Sequence, residues 1–197
     1  MAIGTPVEVG FAEFASGSTI TITLTADVPQ DATLIVFSNV QGAAALNTPI
    51  TTVVDQQVNP WAVGLNRGQG TGPEDTDIWF GRIVAALSSG STVVVTYTGA
   101  LARGIASLAY VTGLDTTSPL DKAVGAVGNT AAPSSGTSGV LTQASEICVG
   151  VVGRYSAAST VTLTSIGAFT ALTTRRNASG SQRCTVWPAY LIVSATT

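Results

Sequence analysis

The side chains able to do chemistry in this sequence are few and short of partners. It has no histidine and a single lysine, Lys122, so the group that most often moves protons near neutral pH is missing. The densest carboxylate cluster is Glu74-Asp75-Thr76-Asp77, which follows a glycine-rich stretch, 68–73. Oxygen ligands grouped in this way can hold calcium, and a carboxylate pair can act as the acid and base of a glycosidase. Glu74, Asp75 and Asp77 are therefore the calcium candidates, and calcium is the one cofactor the sequence suggests. Their spacing is not that of an EF-hand loop. The competing reading is a solvated acidic loop, with Asp77 opening the next strand.

Cys148 and Cys184 lie 36 positions apart and neither belongs to a CxxC pair. Without histidine they cannot complete a zinc set or form an activated nucleophile. They read as small buried hydrophobes on strands, with a disulfide as the alternative. Trp61, Trp79 and Trp187, with the tyrosines, could form a sugar-stacking platform. Trp79 and Trp187 fall inside apolar runs and read as core or sheet-edge packing. Trp61, beside Asn59-Pro60, is the better candidate for a surface ligand contact. Arg175-Arg176 reads as a solvated turn.

Few of these groups could work without a rigid frame, and the rest of the sequence encodes one. Residues 18–25 alternate Ser or Thr with Ile and Leu, the period-two pattern of a half-buried antiparallel strand. Residues 7–14 and 19–25 suggest an opening hairpin around Ser16-Gly17-Ser18. Residues 33–38 are continuously apolar, as in a central strand. Further strand signals occupy 50–54, 61–65, 77–84, 92–98, 104–111, 140–142, 147–152, 160–164, 169–173 and 184–193, punctuated by Gly, Pro, Asn and Ser. Residues 39–46 could form a helical turn or two, without a cap signature. The expectation is an all-β, antiparallel two-sheet β-sandwich of jelly-roll type with long loops and little helix. It forms one domain over 1–197, with an exposed Gly/Ser/Ala-rich loop at about 125–139.

Composition narrows the partners. Only 10% of residues are charged, the net charge is -3, and the seven arginines form no basic stripe, so nucleic acid is not an expected partner. The mean hydropathy of +0.42 comes from Ala and Val interrupted by Thr and Ser. No apolar run reaches membrane-spanning length, and no membrane partner is expected. The N-terminal residues lack a basic start and an apolar h-region, so cytoplasmic synthesis without a signal peptide is expected.

About half the chain, residues 50–152, also carries an ordered set of motifs. Val54-Asp55 leads through Asn59-Pro60 to Trp61, and Asp77-Ile-Trp-Phe80 follows the glycine-rich segment. Then come Ser89-Gly-Ser-Thr-Val-Val-Val-Thr-Tyr-Thr-Gly99, Ala109-Tyr-Val-Thr-Gly-Leu-Asp-Thr-Thr-Ser-Pro-Leu-Asp121 and Ile147-Cys-Val-Gly-Val-Val-Gly153. In this order they resemble a β-sandwich module of tailed-phage virion and bacterial surface proteins. Leu114 stands where that pattern usually has Val, and no attached catalytic domain or secretion signal is expected.

The resemblance implies an architecture and a setting, and it brings no catalytic residues. It implies a non-enzymatic virion structural protein of a tailed bacteriophage, specifically a capsid decoration protein on the head surface. Its partners would be the major capsid protein or tail subunits, with further copies of itself as a homo-oligomer. The alternative is a tail, fibre or receptor-binding module that binds carbohydrate, with Trp61 as its contact.

Overall fold

Runs dense in Val, Ile and Thr become strands because branched side chains pack well on a pleated surface. The computed structural model describes residues 2–14, 16–42, 49–68, 74–128, 133–156, 163, 166–177 and 183–194, and no helix occurs among them. The strands are β1 (Val7–Phe14), β2 (Gly17–Thr23), β3 (Thr33–Gly42), β4 (Ile50–Asp55), β5 (Trp61–Gly68), β6 (Glu74–Arg82), β7 (Thr92–Val111), β8 (Glu146–Ser156), β9 (Thr170–Ala171), β10 (Arg175–Arg176) and β11 (Arg183–Val193). Among the described residues these strands pair antiparallel throughout.

One sheet has seven strands in the order β1-β7-β3-β6-β5, with β2 and β4 also paired to β7. The second has four, with β11 central among β8, β9 and β10. The all-β sandwich class expected from the sequence is therefore present. Jelly-roll connectivity is a finer expectation that this strand order does not establish.

The first sheet is organised by β7, whose 20 residues serve two sets of neighbours. Its first half pairs with β2 and β4, and its second half with β1 and β3. The expected β1–β2 hairpin is thus corrected: β1 and β2 run in the same direction along one flank of β7. The two stretches read as separate strands, 92–98 and 104–111, are likewise one.

A slip in the register of β7 against β3 decides which residues face which core. Gln41 pairs with Arg103 and Gly42 with Leu101, leaving Ala102 as an extra residue in β7. One extra residue reverses the facing of everything beyond it. Before the slip, Val93, Val95, Tyr97 and Leu101 enter the first core. After it, Ala106 and Leu108 do, while Ile105, Ala109 and Val111 enter the second. The sheet also folds back on itself: the Thr25 backbone N–H donates to the Val9 carbonyl at 2.8 Å.

The first core lies inside this folded sheet. The second lies between it and β8–β11, where Cys184 and Val186 meet Ile35, Phe37 and Ile78. β3 serves both: Leu34, Val36 and Val40 face one core, and Ile35 and Phe37 the other. Several finer expectations need correction. Residues 140–142 form no strand, only Thr170–Ala171 of 169–173 do, and Arg175–Arg176 is a strand pair on β11 rather than a solvated turn. The possible helical turn of 39–46 is strand as far as Gly42, and the rest of it lies outside the described residues, as does most of 160–164.

Gly104 sits just past the slip, and a Cβ there would lie 2.7 Å from Val40 Cγ1 and 3.3 Å from Ile20 Cδ1. Gly104→Ala is predicted to lower stability by about 1–3 kcal/mol through overpacking. The double variant with Val40→Ala should cost less than the sum of the two single changes. Denaturant midpoints check this, and strict additivity would contradict it.

Candidate functional site

The acidic cluster is not a loop. Glu74 to Asp77 form the first turnless stretch of β6, in register with β3: Gln41 pairs with Glu74, Val40 with Asp75, Asn39 with Thr76 and Ser38 with Asp77. The expected solvated loop is corrected by burial, since Asp75 and Asp77 are both 0% exposed. The sequence pattern misled because the strand begins earlier than its apolar residues do.

Side chains alternate across a strand, so the carboxylates are divided. Asp75 and Asp77 share the β6 face that carries Trp79, toward the folded interior of the first sheet. Glu74 and Thr76 face the second sheet. The three candidate calcium ligands Glu74, Asp75 and Asp77 therefore do not converge. Among the described residues no group of three or more His, Cys, Asp or Glu could hold a metal ion.

On the interior face, Asn66 of β5 donates its amide to Asp77 Oδ1. The backbone N–H of Ile50 also faces this carboxylate. Burial outweighs both contacts, and the neighbouring Asp75 charge adds to it, so the Asp77 pKa is pushed up to about 7. Opposite, Ser38 Oγ and the Tyr97 hydroxyl share a hydrogen bond of 2.7 Å. Burial pushes the Tyr97 hydroxyl upward. This set links β3, β5, β6 and the first half of β7.

On the other face, Asn39 donates to Glu74 Oε1 at 2.7 Å and to Thr76 Oγ1 at 3.1 Å. Burial raises the Glu74 pKa, opposed by Asn39, by the Tyr155 backbone N–H and by the Arg154 charge. Glu74 is thus a clasp from β6 to β8. Gly153 of β8 seats directly on this polar pair, because a Cβ there would run into Thr76 Oγ1 and Asn39 Nδ2.

Trp61 is half-buried and anchored. Its indole N–H donates to Asp55 Oδ2 at 2.8 Å, and its ring lies on Gly81, where a Cβ would come within 2.6 Å of it. Asp55 Oδ1 also accepts from the Gln57 and Asn59 backbone N–H groups and from the Asn59 amide. Asn59 Oδ1 in turn accepts from the Val84 and Ala85 N–H groups. The Asp55…Asn59-Pro60-Trp61 sequence is thus a clamp that ties the β4–β5 turn to the end of β6. One ring face of Trp61 is taken up by that packing.

The remaining reactive groups are dispersed. Cys184 is buried and Cys148 half-buried, and both are free thiols. Burial pushes the Cys184 thiol up to about 12 and raises Cys148 as well, the opposite of activation. Arg175 lies 4.1 Å from the centre of the Phe11 ring and 3.7 Å from Glu8 Oε1, joining β10 to β1. The residues that sequence reasoning passed over are Ser38, Asn39, Asp55, Asn59, Asn66, Tyr97 and Gly153. Of these, only Asp55 and Asn59 had a visible signal, in the Asp-x-x-x-Asn-Pro-Trp spacing.

Comparison with protein-family models, curated proteins and solved structures returned no match. The chemistry of the site therefore rests on its own geometry. A divided carboxylate set, with Asp75 and Asp77 buried, can hold strands together.

Two predictions follow from this geometry. With a folded pKa near 7 against about 3.9 when unfolded, the folded state binds the Asp77 proton more tightly. That contribution to stability is complete below about pH 4 and is lost as pH rises toward 7. Asp77→Asn keeps an acceptor for Asn66 without the charge. It should raise stability at pH 8 by about 2–4 kcal/mol and leave it nearly unchanged at pH 4, as read by denaturant titration at both pH values. An equal effect at both would contradict the buried acid. Gly153→Ala should lower stability by about 1–3 kcal/mol by forcing β8 off the Asn39–Thr76 pair, and an unchanged denaturant midpoint would show that the sheets do not meet there.

Proposed function

We propose that this chain is a non-enzymatic structural protein of a tailed-bacteriophage virion, a decoration protein that binds the head surface and stabilises its lattice through protein–protein contacts. The observation that carries the reading is where the reactive groups lie. The densest carboxylate cluster is used inside the fold, Cys184 is buried, and Trp61 is clamped to Asp55. What faces solvent on β2 is Thr19, Thr21 and Thr23, and isolated valines such as Val58 and Val63 stand on the surface. A rigid β scaffold with a low-charge hydroxyl and valine exterior suits close, repeated packing, because few charges must be desolvated where copies or lattice subunits meet.

The resemblance of residues 50–152 to a virion module supplies the setting. The clamp it shares, Asp55 through Trp61, has a clear structural task in this fold and needs no ligand to explain it. The chain would act in the virion after synthesis in the host cytoplasm.

The test is to incubate purified chain with heads and with tails assembled in its absence, then to sediment them. Saturable binding to heads with a raised disruption temperature is the expected result. Binding to tails alone would move the protein to the tail or fibre. Binding to neither, with glycan binding abolished in Trp61→Ala, would overturn the structural reading in favour of a carbohydrate-binding module.

A further inference from the structure

Strand β5 ends the first sheet on one side and, among the described residues, pairs with β6 alone. Its two halves are held differently. Trp61 opens the strand, fixed by its indole N–H on Asp55 and by its ring on Gly81. Val63 then pairs with Trp79 and Leu65 with Ile78, which leaves Gly64 as an extra residue, a bulge. Beyond it, three side-chain ties hold residues 65–68. Leu65 packs on the edge of the second core, and Arg67 Nε donates to the Gly125 carbonyl at an exposed site. The third is the Asn66 amide, which donates to Asp77 Oδ1 and reaches the interior of the first sheet.

That interior holds two acids. Asp75 and Asp77 lie two residues apart on one face of β6, and both are 0% exposed. Around Asp77, β5 brings the Asn66 amide, β3 the Ser38 hydroxyl in register, β7 the Tyr97 hydroxyl on Ser38, and β4 the Ile50 backbone N–H. Burial pushes the Tyr97 hydroxyl upward, so it too is neutral. Opposite Asp75 stand Val40 of β3 and Gly68 of β5, while Glu74, on the other face of β6, acts on Asp75 as a like charge. Among the described residues the charge acting on Asp77 is that of Asp75. Asp77 Oδ2 has no hydrogen-bond partner among them. Burial first, and the Asp75 charge with it, push the Asp77 carboxyl up to about 7.

When both acids are ionised, two like charges share a dry interior, and access to water is the relief. The β3 side of β6 cannot give it, because β3 is buried almost throughout. The β5 side is a sheet edge, and past the bulge its tie to the interior is the bond to the acid itself. We propose that residues 65–68 form a pH-operated flap, hinged at the Gly64 bulge, which is fastened while the Asp75 and Asp77 pair holds a proton and opens locally when both are ionised. The Trp61 end stays clamped. The device belongs to the fold and does not depend on whether the chain binds heads.

In the open state Asp77 meets water and returns to an ordinary value of about 3.9, so the closed state binds the proton more tightly. Fastening is therefore complete below about pH 4, weakens by about tenfold per pH unit as pH rises, and levels off above about 7.

Native-state hydrogen exchange of the full chain, corrected for the intrinsic rate at each pH, reads the opening. The expected result is that hydrogen-bonded amides of residues 65–68 exchange about tenfold more freely per pH unit between pH 5 and 7. This exchange should be insensitive to low denaturant, the mark of a local opening, with residues 61–63 still protected at pH 8. Asp77→Asn should abolish the pH dependence. Exchange that does not change with pH, or that accelerates only together with the whole sheet and in proportion to denaturant, would overturn the flap and leave the acid acting on global stability alone. A pH dependence that survives in Asp77→Asn would overturn it too. Carboxyl-carbon NMR titration of the unmodified chain keeps the test open if that variant does not fold. A midpoint for Asp77 near 7, matched by movement of the Asn66 amide signals, supports the flap, and a midpoint in the ordinary carboxylate range overturns it.

Discussion

Strand β3 is the element on which both cores depend. Nearly every residue from Thr33 to Gly42 is buried, which an antiparallel strand allows only when both its faces are covered. One face closes the folded first sheet and the other receives β8–β11. The extra residue in β7 at Ala102 makes this possible, because it turns Ile105, Ala109 and Val111 to the second core just where β3 needs a neighbour pointing the same way. Apolar burial of this extent is the dominant favourable term in folding, so the register of β3 against β7 constrains all that packs on either side.

The end of β3 is where the constraint meets polar chemistry. Ser38 and Asn39 continue the buried strand beyond its apolar run, and β6 brings Asp77 and Thr76 opposite them. Most of these groups find a partner where they lie, since an unpaired buried polar group is costly, although Asn39 Oδ1 and Asp77 Oδ2 are left without a hydrogen bond among the described residues. Tyr97 answers Ser38, Asn66 answers Asp77, and Asn39 answers Glu74 and Thr76. The polar groups are thereby distributed over β3, β5, β6 and β7 and reach the second sheet through Glu74. Residues that resemble an active site in their types are here the fastening of the fold, at the expense of a carboxylate that would be more stable protonated.

Much of the fold was legible in the sequence, and the reasons for the rest are specific. The Thr/Ile alternation of β2 and the apolar run of β3 read correctly, because local packing and strand period agree there. The β1–β2 hairpin did not, since Ser16-Gly17-Ser18 has the composition of a turn but lies where the strand bends beside β7, and bending is a property of the sheet rather than of the segment. The acidic cluster failed for a related reason. Glu74 to Asp77 look solvated in isolation, and only their register with β3, the folded first sheet over Asp75 and Asp77 and the cover from β8 over Glu74 bury them. The Asp55–Asn59–Trp61 clamp was visible as spacing, while Asn39, Asn66 and Gly153 carry no local signal because each is defined by a partner distant in sequence.

The central claim is that β3 joins the two cores into one cooperative unit. Native-state hydrogen exchange of the full chain tests it most directly. The account predicts that amides of β3 and of the second half of β7 share the slowest exchange free energy with those of β8 and β11 that pair at Gly153–Val186. Exchange of β8–β11 through a separate opening, well below the global unfolding free energy and with β3 still protected, would contradict it.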